Sequence, residues 1–454
     1  MKIKLVILLF FTLSSQNLIG QDLNILSNSD TLIQENELRE FLDLQMHPTM
    51  HITYGFFGRG MEFFDLENEP KLSYKHMLKN VNYANYWENN KGARIIISGA
   101  LNKEGVKNPI KARNNILNQI EYLNDFARNN SDRFVVAKSP KEVRDLVATT
   151  NKTIIIHSVE GANQLINSQE DANFWAEKGV AFMTLIHLKD NELGSSAIKP
   201  GFLMKIINLK GALKKNKKRG GLTTKGKQTI SWLANAGIMI DITHMSDQSR
   251  KDALDYMEEK GIPPISTHDL FRPIQNHPRG ISKEQIIRIY QNNGFVSLPI
   301  SGYSLVPYKS ELAYQNYFDT ISCYCNGSID SYRFTYEELQ KHIESNFNIM
   351  LGSNKKQFLD LTESEKVSLS IGFQSDFNGW LNHSRPKYGK KGCYDLEEDQ
   401  EYENIETVGM PHPGLLESQW NYLEKEGLDL SPIKRNSERF IQLWEYFLKH
   451  KGFD

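Results

Sequence analysis

The sequence predicts an α/β fold, a closed (β/α)8 TIM-like barrel with long loops over its carboxyl-end face. Short apolar runs recur eight times, separated by helical periodicity or long loops. Their continuous apolar character is that of parallel strands buried on both faces, not of half-exposed strands that alternate. Four of the runs also lead to a metal-binding residue type. They are Ile154-Ile155-Ile156-His157-Ser158-Val159-Glu160, Ile238-Met239-Ile240-Asp241-Ile242-Thr243-His244, Pro264-Ile265-Ser266-Thr267-His268 and Leu369-Ser370-Ile371-Gly372-Phe373-Gln374-Ser375-Asp376. A barrel of parallel strands builds its site where those carboxyl ends meet.

The elements follow in order. Lys2 and Lys4 precede the apolar stretch 5–13, followed by Ser14, Ser15 and Gly20. That is the pattern of a secretory signal over residues 1–20, with a mature chain from Gln21. A merely hydrophobic first strand is the alternative. The stretch is too short to span a bilayer comfortably, no cysteine follows it for a lipid anchor, and no second stretch suits a transmembrane helix. The expectation is export, periplasmic or secreted, with residues 21–454 forming a single barrel domain.

The expected strands are residues 41–44, 94–99, 153–156, 182–186, 238–243, 264–267, 295–298 and 369–373. Between them Ile116, Leu117, Ile120, Leu123 and Phe126 recur at helical spacing. Ser139-Pro140-Lys141-Glu142 reads as a capping box with proline at the first helical position, and Ser282 to Gln285 and Thr335 to Glu338 repeat that spacing. Residues 189–222, 301–333 and 378–413 break the alternation after the fourth, seventh and eighth strands. They are expected to rise over the mouth as lids or binding loops. The first holds Lys210, Lys214, Lys215, Lys217, Lys218 and Arg219. Such a cluster attracts a substrate carboxylate or a nucleic acid, or is simply a solvated face, its commonest meaning.

A chain of 454 residues can bury one large core, and 39% hydrophobic with 24% charged residues is ordinary for a globular protein. The formal net charge of −1 gives no bulk attraction to nucleic acid or membrane. Cys393 could form a disulfide with either Cys323 or Cys325, leaving an odd thiol. Metal binding by Cys323 and Cys325 lacks neighbouring partners.

The four strand-end residues carry chemistry together. Zinc accepts imidazole nitrogen and carboxylate oxygen, and one carboxylate can bridge two ions. Any one of these histidines alone would more often be a satisfied structural residue. Glu160, His244, His268 and Asp376 at one end of one barrel point to a metallohydrolase.

In order and spacing, these motifs resemble the membrane (renal) dipeptidase family of zinc metallopeptidases, over about residues 41–380. The resemblance is carried by Ser158-Val159-Glu160-Gly161, Phe182 to His187, Gly221-Leu222-Thr223, Asp241 to Asp247, Ser266-Thr267-His268, His277-Pro278-Arg279 and Gly372 to Phe377. It implies a (β/α)8 barrel that hydrolyses dipeptides with a free carboxyl terminus, some bearing a D-residue there. By position, Glu160 resembles the carboxylate bridging two zinc ions, and His244 and His268 the ligands of the second. Asp376 resembles the residue that handles the proton of the attacking water. His187 resembles the contact to the oxygen of the tetrahedral intermediate, and Arg279 the arginine that binds the substrate carboxylate.

One departure stands out. The family's first strand ends in His-x-Asp, and here Gln45 and His47 occupy those positions. A glutamine amide is an uncharged, poor zinc ligand, so the first site is altered, weakened or lost, and one or two Zn2+ ions per chain are implied. Asn163 stands where relatives commonly carry histidine. His51, His76 and His383 read as structural or exposed. The implied partners are a dipeptide substrate and a second copy in a homodimer, with no nucleic acid and no transmembrane span. Two other readings keep the barrel: a hydrolase of another amide or a lactone, and a binding protein on a degenerate scaffold, which Gln45 motivates.

Overall fold

The computed structural model describes residues 40–54, 93–198, 206–213, 220–275, 277–300, 325, 327–377, 383–390, 392–410 and 415–450. The proposed leader lies outside these residues, as do His76, Cys323 and Lys214 to Arg219.

Eight parallel strands close a barrel. In chain order they are β1 (Leu42–Met46), β2 (Ile95–Leu101), β4 (Thr153–Glu160), β5 (Val180–Thr184), β6 (Met239–Asp241), β7 (Pro264–Ser266), β10 (Phe295–Pro299) and β11 (Gly372–Gln374). Their order around the sheet is β2-β1-β11-β10-β7-β6-β5-β4, and pairing of β2 with β4 completes the ring. Every residue of these strands is buried, which is why the runs read as continuously apolar. A ninth strand, β3 (Phe134–Val136), pairs with the first residues of β4, before β5 joins that edge at His157. Two residues each of β8 (Leu270–Phe271) and β9 (Gly280–Ile281) pair in the loop after β7.

The helices form because their ends are capped and one face is apolar. Helix Pro109–Asn129 starts with the Asn108 side chain accepting from Lys111 N, carries proline in its first turn, and buries Ile116, Gln119, Ile120, Leu123 and Ala127. Ser282 and Gln285 form the full capping box of helix Lys283–Gln291. Ser139 caps helix Pro140–Thr149, but the Glu142 carboxylate accepts from Lys138 N, one residue further back. Thr335 lies inside helix Ile329–Leu351, which Ser328 caps, and its hydroxyl donates to Ser331 O. That pair's spacing is helix interior, not a helix start.

The end of the described chain locks the barrel. Asn436, which begins helix Asn436–Lys449, accepts from Leu42 N and donates to Leu42 O at 3.2 and 2.8 Å, acting as a substitute strand for β1. Trp420 stacks on Phe41 at 4.8 Å and meets Phe373 edge-on at 4.7 Å, covering the seam between β1 and β11. Cys325 and Cys393 form a disulfide that ties the approach to helix Ile329–Leu351 to the segment following β11. Of the two pairings open to Cys393, the chain uses this one.

Candidate metal centre

Six strands deliver a polar side chain to the carboxyl-end mouth. His47 follows β1, Glu160 ends β4, His187 follows β5, His244 follows β6, His268 follows β7 and Asp376 follows β11. All but His187 are buried, and His187 keeps 15% of its side-chain surface. Two of them sit on unusual backbone. His244 has φ of 67° and Asp376 φ of 50°, the left-handed region that costs non-glycine residues energy but that His and Asp enter more readily than most. The surroundings hold both turns: Ala197 N donates to His244 O at 2.6 Å, and Asp376 N to Gln45 O at 2.8 Å.

The two oxygens of Glu160 face two separate groups. Oε1 lies 3.0 Å from His244 Nε2, 2.9 Å from His268 Nε2 and 3.6 Å from His187 Nε2. The His244 and His268 nitrogens are themselves 2.8 Å apart. Oε2 lies 3.2 Å from His47 Nε2, which is 3.1 Å from Asp376 Oδ1. Glu160, His187 and His244 each offer an atom within 4.8 Å of the others'.

Hydrogen bonding decides which nitrogens carry protons. Gly99 O can only accept, so His47 Nδ1, 2.8 Å away, is a donor. In a neutral ring its Nε2 lone pair then points at two carboxylates. A lone pair facing two acceptors demands a proton or a cation between them. Among the protein's own groups the proton wins: burial opposes it, but hydrogen bonds and charge from Asp376 and Glu160 push His47 up to about 10. The arrangement also fits a cation. Gln45 adds its amide, with Nε2 3.3 Å from His47 Nε2 and Oε1 buried without a hydrogen-bond partner. A Cβ on Gly99 would collide with that amide and press on the His47 ring at 3.0 Å, so glycine is required beneath the pair.

The Oε1 group fits a cation as well. His244, His268 and Glu160 form a triangle with sides of 2.8 to 3.0 Å. Ligands at the zinc bond lengths of about 2.0–2.1 Å stand roughly 3.3 Å apart in a tetrahedron. Side-chain rotations of a few tenths of an ångström open the triangle that far. Charge suits the same occupant. Burial opposes ionisation of Glu160, yet the His187 charge and the close contacts to the His244, His268 and His47 nitrogens hold it well below the usual carboxylate range. Burial, then the Arg279 charge, holds His244 well below its ordinary value and therefore neutral. A neutral imidazole beside a carboxylate is the ligand form that zinc takes.

His187 differs from the other two imidazoles. Its Nδ1 is 2.6 Å from Glu104 Oε1, its Nε2 stands furthest from Glu160, and part of its surface is exposed. Burial opposes its protonation, but Glu160 and Glu104 raise it above the ordinary value. When protonated, the ring presents an Nε2–H as a donor for an oxygen in the site. Asp376 is held low, burial opposing and His47 prevailing, so it stands ionised beside the site.

Arg279 is buried, donates Nη2 to His268 O at 2.9 Å and leaves Nε buried without a partner. His383, read as structural or exposed, is buried with Nε2 2.9 Å from Ser375 O. Asn163 donates to Val106 O at 3.4 Å. Sequence reasoning missed Glu104, which has no motif around it and meets His187 only in the folded chain.

The comparisons agree with this architecture. The family model described as Membrane dipeptidase (Peptidase family M19) matches residues 40–344. Dipeptidase tcpJ of Claviceps purpurea is 24% identical over 180 residues, 40% of this chain and 38% of that protein. The match thus spans well under half of that relative's length. Among solved structures, a metallopeptidase from Rhodobacter sphaeroides liganded with a phosphinate mimic of the dipeptide L-Ala-D-Ala has a TM-score of 0.55 at 13% identity, covering 89% of this chain and 98% of that one. An amidohydrolase from Pseudomonas aeruginosa has a TM-score of 0.53 at 16% identity, covering 90% and 97%. At such identities the likeness speaks for the fold, and the barrel is shared.

Proposed function

The chain belongs to the membrane dipeptidase family, peptidase family M19, and from that premise we propose that it is a zinc-dependent dipeptidase acting on dipeptides with a free C-terminal carboxylate. The observation that carries the reading is the division of Glu160: three imidazole nitrogens gather on Oε1, and His47 with Asp376 on Oε2. His244, His268 and Glu160 are the proposed ligands of one ion. His47, Gln45 and Asp376 with Glu160 Oε2 would hold a second where one binds. Bound zinc would supply Lewis acidity and bring the pKa of its water to about 7.

The chain's own groups do the rest. Asp376 Oδ1 takes a proton from the attacking water and returns it to the leaving amine. His187 donates from Nε2 to the oxygen that gains charge, with Glu104 behind it favouring the protonated ring. Arg279 is the proposed partner of the substrate carboxylate, whose fork-like geometry a guanidinium matches. The liganded relative binds a dipeptide mimic with a D-residue second, so L-D dipeptides belong in the first substrate set. The leader over residues 1–20 extends the reading to an exported single-domain enzyme. Among the described residues no helix is long and apolar enough to cross a membrane.

Hydrolysis of L-Ala-D-Ala that is lost on dialysis against a chelator and restored by zinc supports the proposal. A folded, zinc-binding chain that leaves a panel of dipeptides intact would overturn it.

A further inference from the structure

One buried carboxylate beneath the site takes no part in the chemistry above. Asp241 ends β6, is wholly buried and accepts five hydrogen bonds, all from uncharged donors. Its Oδ1 accepts from Thr243 N at 3.1 Å, Thr243 Oγ1 at 2.6 Å and Thr267 N at 3.1 Å. Its Oδ2 accepts from Thr184 Oγ1 at 2.6 Å and Thr267 Oγ1 at 2.8 Å.

The residues it holds adjoin every member of the Oε1 triangle. Thr243 precedes His244, and Thr267 precedes His268. Thr184 pairs in register with Glu160, and its carbonyl accepts both Gly161 N and Ala162 N, which follow Glu160. A single side chain therefore ties together the ends of β4, β5, β6 and β7.

Proton counting gives the network a direction. A carboxylate surrounded by five donors acts as acceptor at both oxygens, so the one Thr267 hydroxyl proton goes to Asp241. Thr267 Oγ1 then has no proton left for His268 Nδ1 at 2.7 Å and accepts from it, while its other neighbour, Thr243 Oγ1 at 3.4 Å, gives its own proton to Asp241 Oδ1. His268 thus carries its ring proton on Nδ1, and its Nε2 presents a lone pair at the triangle. The metal-binding nitrogen of a histidine is selected in this way by the hydrogen bond its other nitrogen makes.

We propose that Asp241 is the positioning residue of this cation site, fixing the tautomer of His268 through Thr267 and the placement of His244 and Glu160 through Thr243 and Thr184. The identity of the cation rests on the function proposed above, but the proton chain does not. Substitution Asp241→Asn keeps the shape and puts an amide NH2 against one hydroxyl pair. Facing Thr267, it turns that hydroxyl proton toward His268 Nδ1 and moves the ring proton to Nε2.

The test uses the full chain. Zinc itself is titrated against a competing chelator dye, and zinc-free protein with 15N-histidine reports the His268 tautomer by NMR, assigned against His268→Ala. Asp241→Asn and Thr267→Val are each expected to weaken zinc binding roughly 10- to 100-fold, while Thr267→Ser, which keeps the hydroxyl, stays within about threefold of the parent. The parent is expected to show the Nδ1–H tautomer and Asp241→Asn the Nε2–H form. Folded variants with unchanged affinity, a Ser variant as weak as the Val variant, or an Nε2–H parent would each overturn the proposal. Should Asp241→Asn fail to fold, the Thr267 pair decides. A parent that binds no zinc overturns the functional reading alone, and the tautomer signal then judges this proposal by itself.

Discussion

His157 lies on β4, three residues before Glu160, and its ring is buried in the helix layer with Nε2 3.1 Å from Asn124 Oδ1. Burial, then the Lys138 charge, holds this imidazole at about 4 against an ordinary 6.5. In the unfolded chain the ordinary value returns, so between those limits the unfolded chain binds a proton that the folded chain refuses. Stability from this residue is therefore full above 6.5, falls as the pH drops, and is exhausted below about 4. At 1.36 kcal/mol per unit, the displacement amounts to about 3 kcal/mol. Substitution His157→Gln keeps an N–H donor for Asn124 and removes the titration. Urea unfolding of both proteins from about pH 7.5 to about pH 4 isolates the effect, because other titrating groups cancel in the difference. The variant is expected to gain about 3 kcal/mol on the parent across that range, on top of a constant offset for altered packing. A difference that stays flat with pH would show that His157 does not hold this depressed titration in the folded chain.

Two further substitutions probe the support of the site. Arg250 is wholly buried, pairs with Asp269 Oδ2 at 3.0 Å and donates to Gly280 O, Met245 O and Arg279 O. Arg250→Met strands the buried Asp269 carboxylate and is expected to cost about 3–5 kcal/mol in urea unfolding, and a loss under about 1 kcal/mol would contradict that. Glu104→Gln removes one of the charges that raise His187, so the ring gives up its proton at lower pH. The alkaline limb of the kcat/KM profile for a dipeptide is then expected to move to lower pH, and a limb that stays in place would place His187 outside the reaction.

The fold was legible because buried parallel strands write themselves as apolar runs. All eight barrel strands were legible, three of them from their first residue (153, 264 and 295), but the other ends were not, since hydrogen bonding rather than hydrophobicity sets them. The run at 369–373 begins too early because Leu369 N and Ser370 N still bond back to Glu365 O and Val367 O, finishing helix Glu363–Ser368, so that β11 starts at Gly372. The run at 238–243 overshoots β6, whose pairing stops at Asp241 as the chain turns toward His244. β3 is three residues long and carries too little pattern to be seen.

The site divides the same way. Residue types at strand ends were readable, and His47, Glu160, His187, His244, His268 and Asp376 do converge. What the sequence did not reveal is pairing between distant segments. Glu104 behind His187 is one case. Asp241 opens a motif legible in the sequence, but its hold on Thr184 and Thr267 exists only once β5, β6 and β7 lie side by side.

The central claim is a metal-dependent dipeptidase with His244 in its ligand set. Its most direct test is hydrolysis of a dipeptide panel, L-D pairs included, by the zinc-loaded chain beside its His244→Ala variant. Turnover is expected from the parent and none from the folded variant, which would also show that Gln45 and His47 are compatible with catalysis. Equal turnover by both proteins, or none by a folded parent with zinc bound, would contradict it.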